Sequence, residues 1–246
     1  MTRRLLVQRE LILILSCLLW ATACSGSKVT TQVSNELPRY QVRTMALLPF
    51  TSLTTPQVRD HGDPYLSTPR GAKGSDISLG VPSSAEPSLR QTVTVPAYAA
   101  EKVTQLFWNR LRHRQGITVT AASQGGKPSL SGIGENQPTP ETVAAAAAKA
   151  LKVDAAVLGQ VLVYQERIGS RLGASPPASV GFEVKVVAPD GQVLWVGNFY
   201  ERQQPMTQDF IGFVRHGGVF ITVEELAQYG VDEILKEFPF GQPGDS

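Results

Sequence analysis

Short continuous apolar runs alternate along this chain with segments whose apolar residues recur at helical spacing. The segments 43–50 and 155–165 each contain several apolar residues in succession, which is typical of strands buried on both faces. The predicted elements in chain order are strand 43–50, helix 96–114, strand 117–121, helix 139–151, strand 155–165, strand 180–186, strand 192–201 and helix 222–238. This order predicts an α/β (α+β) fold, in which a single mixed sheet of about five strands is flanked by helices in the order β-α-β-α-β-β-β-α.

Cap and turn residues predict where several elements begin and end. Pro96 lies near the first position of the first helix, with Thr94 as its cap. The hydroxyl of Thr139 suits the start of the second helix, and Thr222 suits the start of the last. The sequence Pro189-Asp190-Gly191 predicts a turn between the last two strands, because proline fixes φ and glycine accepts a positive φ.

Composition along the chain divides it into a leader, a tether, one domain and a tail. Residues 24–41 are polar and show no apolar period, so they predict a flexible tether, whose length as a random coil is roughly 20 Å. The α/β domain is predicted over 42–238 and a polar tail over 239–246. Within the domain, 51–92 is rich in Pro, Gly, Ser and Thr. This insertion is either a disordered loop or a partner-binding loop.

The N-terminal leader, residues 1–23, determines the predicted location. Three arginines precede an apolar stretch at 11–20, which is shorter than the roughly 20 residues that span a bilayer. Small residues at 21–23 then precede Cys24, and this pattern resembles the lipobox of bacterial lipoproteins. The resemblance implies cleavage before Cys24 and lipidation of its sulfur. Ser25, where an aspartate would resemble the inner-membrane retention signal, predicts the periplasmic face of the outer membrane.

Charge and cysteine content exclude several classes of function. The leader carries three of the 23 basic and one of the 21 acidic residues, so the charges of the mature part balance. With no basic stripe among aromatic residues, nucleic acid is not predicted as a partner. The two cysteines are Cys17, lost with the leader, and Cys24, so the sequence predicts neither a disulfide framework nor a thiol nucleophile.

Motifs for chemistry are missing from the sequence. It contains no glycine-rich nucleotide loop and no Gly-x-Ser-x-Gly turn. His61 lies in Asp60-His61-Gly62-Asp63, which favours a solvated loop over a weak metal site. His113 lies in the basic end of the first helix, where cations complement the helix dipole. We therefore predict no catalytic residue, no cofactor and no metal.

The segment from Met206 to Phe220 is unusually apolar for a loop. Its apolar residues either fold back onto the core or form an interface patch. Within it, Arg215-His216-Gly217-Gly218 predicts either a tight turn that seats the last helix or a partner-contact loop. The possible partner-contact residues are Phe210, Phe213, Arg215, His216 and Phe220.

Three motifs resemble a group of envelope proteins that includes the curli-secretion lipoprotein CsgG, the penicillin-binding-protein activator LpoB and the N-terminal domain of TolB. The motifs are Met45-Ala46-Leu47-Leu48-Pro49-Phe50 after a tether, Lys152-Val153-Asp154-Ala155-Ala156-Val157-Leu158-Gly159, and Asp190-Gly191-Gln192-Val193-Leu194-Trp195. The resemblance covers about 42–238 and implies a fold without catalytic residues; it does not by itself transfer a function.

Three functions remain open. The leading hypothesis is a non-enzymatic lipoprotein, anchored through Cys24, that binds or regulates another envelope protein in envelope assembly or cell-wall synthesis. The alternative is a subunit of a CsgG-like ring-forming secretion channel, although 51–92 lacks the alternation of membrane-crossing strands. The third is an envelope hydrolase, for which His216, Asp209 and Glu224 would be the residues to mutate. The sequence leaves the oligomeric state open.

Overall fold

The computed structural model of the protein describes residues 28–55, 57–58, 92–122 and 138–243. Cys24, the leader, His61 and most of the 51–92 insertion lie outside these residues. The strands are β1 (Val29–Val33), β2 (Thr44–Leu47), β3 (Thr51–Ser52), β4 (Gln57–Val58), β5 (Thr92–Val93), β6 (Thr118–Ala121), β7 (Ala155–Gln165), β8 (Ser179–Val187) and β9 (Val193–Arg202). The helices are α1 (Ala97–Leu111), α2 (Pro140–Leu151), α3 (Phe210–Arg215) and α4 (Val223–Lys236), with a short 3-10 turn at Leu37–Arg39.

One mixed sheet organises these elements, which confirms the predicted fold class. Its order is β1-β9-β8-β7-β2-β6, with β3 pairing beside β7, so it has seven strands rather than about five. Strands β2, β6 and β7 run parallel, whereas β7, β8, β9 and β1 pair antiparallel. Strands β4 and β5 form a separate antiparallel pair. The carboxyl ends of β7 and β9 therefore lie at the same end of the sheet.

Helices cover both faces of the sheet. Helices α1 and α4 pack against each other and against the face that carries the main core, which includes Phe107, Trp195 and Phe199. Both oxygens of Asp232 on α4 accept hydrogen bonds from Arg110 on α1, at 2.5 and 3.0 Å. Helix α2 covers the other face with small side chains, among them Ala144 and Ala148. Alternate residues of β7 enter the two cores, as its continuous apolar run predicts.

Of the three helix caps that the sequence predicts, those of Thr139 and Thr222 are present and that of Thr94 is not. The hydroxyl of Thr139 accepts from the amide of Thr142 at 3.3 Å, and Thr222 forms a reciprocal capping box with Glu225. At α1, Pro96 occupies the cap position itself and no side chain caps the helix, so Thr94 is not the cap. The helix also ends at Leu111 rather than near 114, and Arg114 beyond it donates to the carbonyls of Phe240 and Leu235.

Two segments differ from the predicted tether and tail. Residues 29–33 form the edge strand β1, whose Val29 pairs with Phe199 and whose Val33 pairs with Trp195 on β9. At the other end of the chain, Phe240 is buried and its carbonyl accepts from the guanidinium of Arg114 at 3.0 Å. The folded part of the chain therefore extends beyond the predicted 42–238 at both ends.

Candidate functional site

Helix α3 lies inside the segment that the sequence predicted as a long loop after β9. Asp209 starts the helix by accepting the amide proton of Gly212 on Oδ1 at 2.8 Å. Gly217 and Gly218 follow the helix with φ of +74° and +71°. Only glycine adopts two successive positive φ values without steric cost, so these residues turn the chain toward α4. The predicted turn at 215–218 is present, and it follows a short helix.

A buried ionic cluster connects α3 to the sheet. Glu201 at the end of β9 places Oε1 3.1 Å from Nε2 of His216, and these side chains are 2 and 4 % exposed. Lys28 approaches from the start of the described chain, with Nζ 3.4 Å from Glu201 Oε1 and 3.5 Å from Asp209 Oδ2. The ring of His216 meets the ring of Tyr229 on α4 edge to face, with centroids 4.9 Å apart. The cluster thus joins β1, β9, α3 and α4.

The charges of the cluster favour ionised carboxylates. Burial raises the pKa of Glu201, but the hydrogen bond with His216 and the nearby Lys28 ammonium outweigh it, so the pKa lies below its usual value. The pKa of Asp209 is also lowered, chiefly by the hydrogen bond from the Gly212 amide. The second oxygen of Glu201, Oε2, is buried and accepts no hydrogen bond from any described residue. Removing Lys28 or His216 would therefore leave a charge with little solvation.

A buried amide fixes the chain that connects α3 to α4. The side chain of Gln203 donates from Nε2 to the carbonyl of Val219 at 2.6 Å and accepts from the amide of Ile221 at 2.9 Å. Gln203 is 1 % exposed. Buried backbone groups need hydrogen-bond partners. The Gln203 side chain supplies them for the carbonyl of Val219 and the amide of Ile221 in the connecting segment.

The apolar residues of this segment divide between the core and the surface. Phe220 is buried and its ring packs against Phe213 with centroids 5.5 Å apart. In contrast, Phe210, Ile211 and Val214 are 63, 50 and 53 % exposed. They lie on one side of α3. A helix turns by about 100° per residue, so positions 210, 211 and 214 fall within an arc of about 100°. We call these three residues the α3 face. Met206, 52 % exposed, precedes the helix.

The predicted partner-contact residues are therefore not a single surface. Phe210 and Arg215 are exposed, and the guanidinium of Arg215 donates to the hydroxyl of Tyr229 at 3.3 Å. His216 and Phe220 lie inside, and Phe213 is half-buried. The structure places the interior pair where a partner cannot reach them.

Sequence reasoning missed Lys28, Glu201, Gln203 and Tyr229 of this site. One signal was present in β9, where inward positions alternate along the strand. Gly197 and Phe199 face α4, and the next inward position is Glu201, a charge at a core position. A charged residue in that place requires a buried partner. The other residues come together only through tertiary packing.

The residues considered for chemistry do not form a reactive group. Asp209 caps α3, whereas Glu224 lies at the surface and pairs with Lys102 at 3.2 Å. His113 lies just after α1 and interacts with the guanidinium of Arg112. Across residues 28–55, 92–122 and 138–243, no three His, Cys, Asp or Glu side chains are grouped so that they could hold a metal ion. In the same ranges no helix is long and apolar enough to cross a bilayer.

A second surface feature is a cleft of about 410 Å³ at the other lateral edge of the sheet. It lies between the carboxyl ends of β2 and β6 and helix α1, and Trp108 and Ala121 contribute to its lining. The hydroxyl of Thr104 on α1 accepts from the amide of Phe50, which fixes the chain after β2 at the rim. Gln105 is exposed at the same rim.

No family model and no curated protein matches the chain. Solved structures resemble it at low identity. A PelC dodecamer from Paraburkholderia phytofirmans is 12% identical over 87% of this chain and 98% of that one, with a TM-score of 0.45. Hypothetical protein CT253 from Chlamydia trachomatis is 12% identical over 80% and 95%, with a TM-score of 0.39. Lipoprotein GNA1162 from Neisseria meningitidis is 11% identical over 71% and 96%, with a TM-score of 0.35. The resemblance to the CsgG, LpoB and TolB group stays a prediction.

Proposed function

We propose that this protein is a lipid-anchored component of the bacterial envelope that binds another envelope protein and has no catalytic role. The lipid is attached at Cys24, and the domain lies at the periplasmic face of the outer membrane. The observation that carries the proposal is the position of Lys28, four residues after Cys24. Its carbonyl accepts from the amide of Tyr200 on β9, and its ammonium enters the buried cluster. An anchor at Cys24 would therefore be joined directly to the folded sheet.

The burial of Glu201 and His216 argues against a catalytic role for this pair. Glu201 and His216 have the chemistry of an acid-base pair, but their side chains are 2 and 4 % exposed. A catalytic pair must reach substrate within hydrogen-bond distance. Here the ring of Tyr229 and helix α3 cover the pair, so its contribution is to the position of α3.

The cleft beside β2, β6 and α1 is the surface that we assign to the protein partner. It combines apolar walls, including the ring of Trp108, with polar side chains such as Gln105 at the rim. Aromatic side chains in concave sites are typical anchors for a partner. The cleft and α3 lie at opposite lateral edges of the sheet, since β6 is at one edge and β1, beside β9, is at the other. A partner in the cleft therefore leaves α3 free.

The anchor is tested with Cys24→Ala in the full-length chain. We expect the unchanged protein to enter the detergent phase on Triton X-114 partition, with acyl chains on its N-terminal peptide by mass spectrometry. The variant should keep its leader and carry no acyl chains. An aqueous unchanged protein without acyl chains would contradict the proposal.

The partner surface is tested by a photo-reactive side chain at Gln105 in living cells that produce the protein. We expect a crosslink to a different envelope protein, identified by mass spectrometry, and none from the same group placed at exposed Ala150 on α2. A crosslink only to a second copy of the chain would contradict the adaptor role and favour a homo-oligomeric ring.

A further inference from the structure

The α3 face is an apolar surface next to the start of the described chain. Phe210, Ile211 and Val214 are each at least half exposed, and Met206, which precedes the helix, is 52 % exposed. Exposed apolar groups of this size are usually isolated, and a group on one helix side indicates a surface that something covers. The distance from this surface to the proposed anchor at Cys24 indicates what covers it.

The covalent distance from the anchor to α3 is short. Lys28 is four positions after Cys24, and an extended chain over four positions spans at most about 14 Å. Lys28 is held to the sheet through its carbonyl, and its ammonium lies 3.5 Å from Asp209, the residue that begins α3. Whatever path those residues take, a lipid on Cys24 lies within that reach of β1, beside α3. The predicted tether would hold the domain roughly 20 Å from the membrane. Because β1 begins at Val29, only the few residues before it can serve as a link to Cys24.

One exposed basic side chain beside the α3 face suits the headgroup layer of a bilayer. Arg215 is the last residue of α3 and is exposed, whereas Lys28, near the start of the helix, is paired with Glu201 and Asp209. A basic side chain beside an apolar helix face extends toward phosphate groups while the apolar side chains enter the acyl boundary. The buried pair of Glu201 and His216 already fixes the position of α3. Little conformational freedom is therefore lost when the α3 face becomes covered.

We propose that the α3 face lies in the headgroup region of the phospholipid leaflet that holds the Cys24 acyl chains. Phe210, Ile211 and Val214 then lie at the acyl boundary. This inference rests on the proposed anchor and assigns an occupant to the surface beside it. The domain is then oriented on the membrane with the end of β9 toward the lipid. The amino end of β7 and the end of α2 point away from the membrane.

Site-directed spin labelling tests this orientation, because the mature lipidated chain has no free cysteine. The variants are Ile211→Cys and Val214→Cys on the α3 face and Ala150→Cys on α2. Ala150 is exposed and lies near the amino end of β7, roughly 30 Å of strand away from α3. Each labelled lipoprotein is reconstituted into vesicles of phosphatidylethanolamine and phosphatidylglycerol. The accessibility of the nitroxide to oxygen, which concentrates in the bilayer, and to a water-soluble nickel chelate is then measured.

The expected result is a loss of nickel accessibility and a gain of oxygen accessibility at 211 and 214, relative to the label at 150. Nickel accessibility equal to that at 150, in protein that floats with the vesicles, would overturn the inference and leave the anchor intact. Shielding from both reagents would also overturn it, in favour of a protein cover. Protein that carries no acyl chains by mass spectrometry would overturn the anchor and the inference together.

Discussion

The carboxylate of Glu201 and the imidazole of His216 lie 3.1 Å apart in an interior that leaves both almost inaccessible to solvent. Glu201 ends β9, and His216 follows α3 after a connection that passes over the surface. The pair therefore joins the short helix to the sheet at a place where no strand ladder does. Several expected outcomes depend on this contact and on its neighbours.

Replacing Glu201 by alanine should destabilise the fold strongly. The change leaves the Lys28 ammonium and the His216 ring without their shared acceptor, and breaking a buried pair typically costs about 3–5 kcal/mol. Urea unfolding followed by the fluorescence of the buried Trp195 measures the free energy of unfolding. Glu224→Ala, which removes an exposed partner of Lys102, is the matched control and should change it by less than about 1 kcal/mol. Equal losses from the two variants would show that the buried pair contributes nothing special.

Acid should remove part of the stability through the same carboxylate. The folded-state pKa of Glu201 lies below the ordinary value of a glutamate side chain, so its ionised form is favoured by folding. Its contribution is complete above that value and is lost as the pH falls through the folded-state pKa. The free energy of unfolding, measured from neutral pH down through this range, should therefore fall less steeply for Glu201→Gln than for the unchanged protein. A steeper fall in the variant would contradict this assignment.

Gly197 on β9 should tolerate no side chain. A Cβ there would overlap the buried ring of Trp195 and approach the side chain of Ile234 on α4. Overpacking of this kind costs about 1–3 kcal/mol, so Gly197→Ala should lower the urea midpoint. Gly173→Ala provides the control, since nothing lies within 4 Å of its Cβ position. An unchanged midpoint for Gly197→Ala would mean that the indole moves without cost.

Gln203→Leu should loosen the segment that leads into α4. The leucine keeps the buried volume but leaves the carbonyl of Val219 and the amide of Ile221 without partners, at about 1–3 kcal/mol for each group. Hydrogen exchange at the Ile221 amide, read by mass spectrometry of short peptides, should become faster. Gln208→Leu, at an exposed position nearby, should leave that rate unchanged. Unaltered exchange in Gln203→Leu would refute the role of the amide.

Sequence reasoning succeeded where a segment carries its own signal. Strand β7 has the predicted bounds of 155–165, because its continuous apolar run fills cores on both faces. Helix α2 begins after Thr139 as its cap chemistry indicates. The edge strand β1 was missed because most of its side chains are polar and show no apolar period. Helix α3, with six residues, is too short for a periodic pattern to identify.

The site was less predictable than the fold because its members are far apart along the chain. Lys28 meets Asp209 across 181 positions, and no local pattern announces such a contact. Three of the five possible partner-contact residues are phenylalanines, and the sequence alone does not distinguish Phe220 in the core from Phe210 on the surface. Separating them required the orientation of α3, which the buried pair of Glu201 and His216 sets.

The antiparallel pairing of β1 with β9 also determines how the protein responds to mechanical force. A pull on the N-terminal end of the chain acts along the axis of β1, and the hydrogen bonds to β9 lie perpendicular to that axis. The five residue pairs from Val29 to Val33 then share the load in shear instead of opening one after another. A force that pulls on the chain ahead of β1 would thus be resisted by all five pairs along this edge of the sheet.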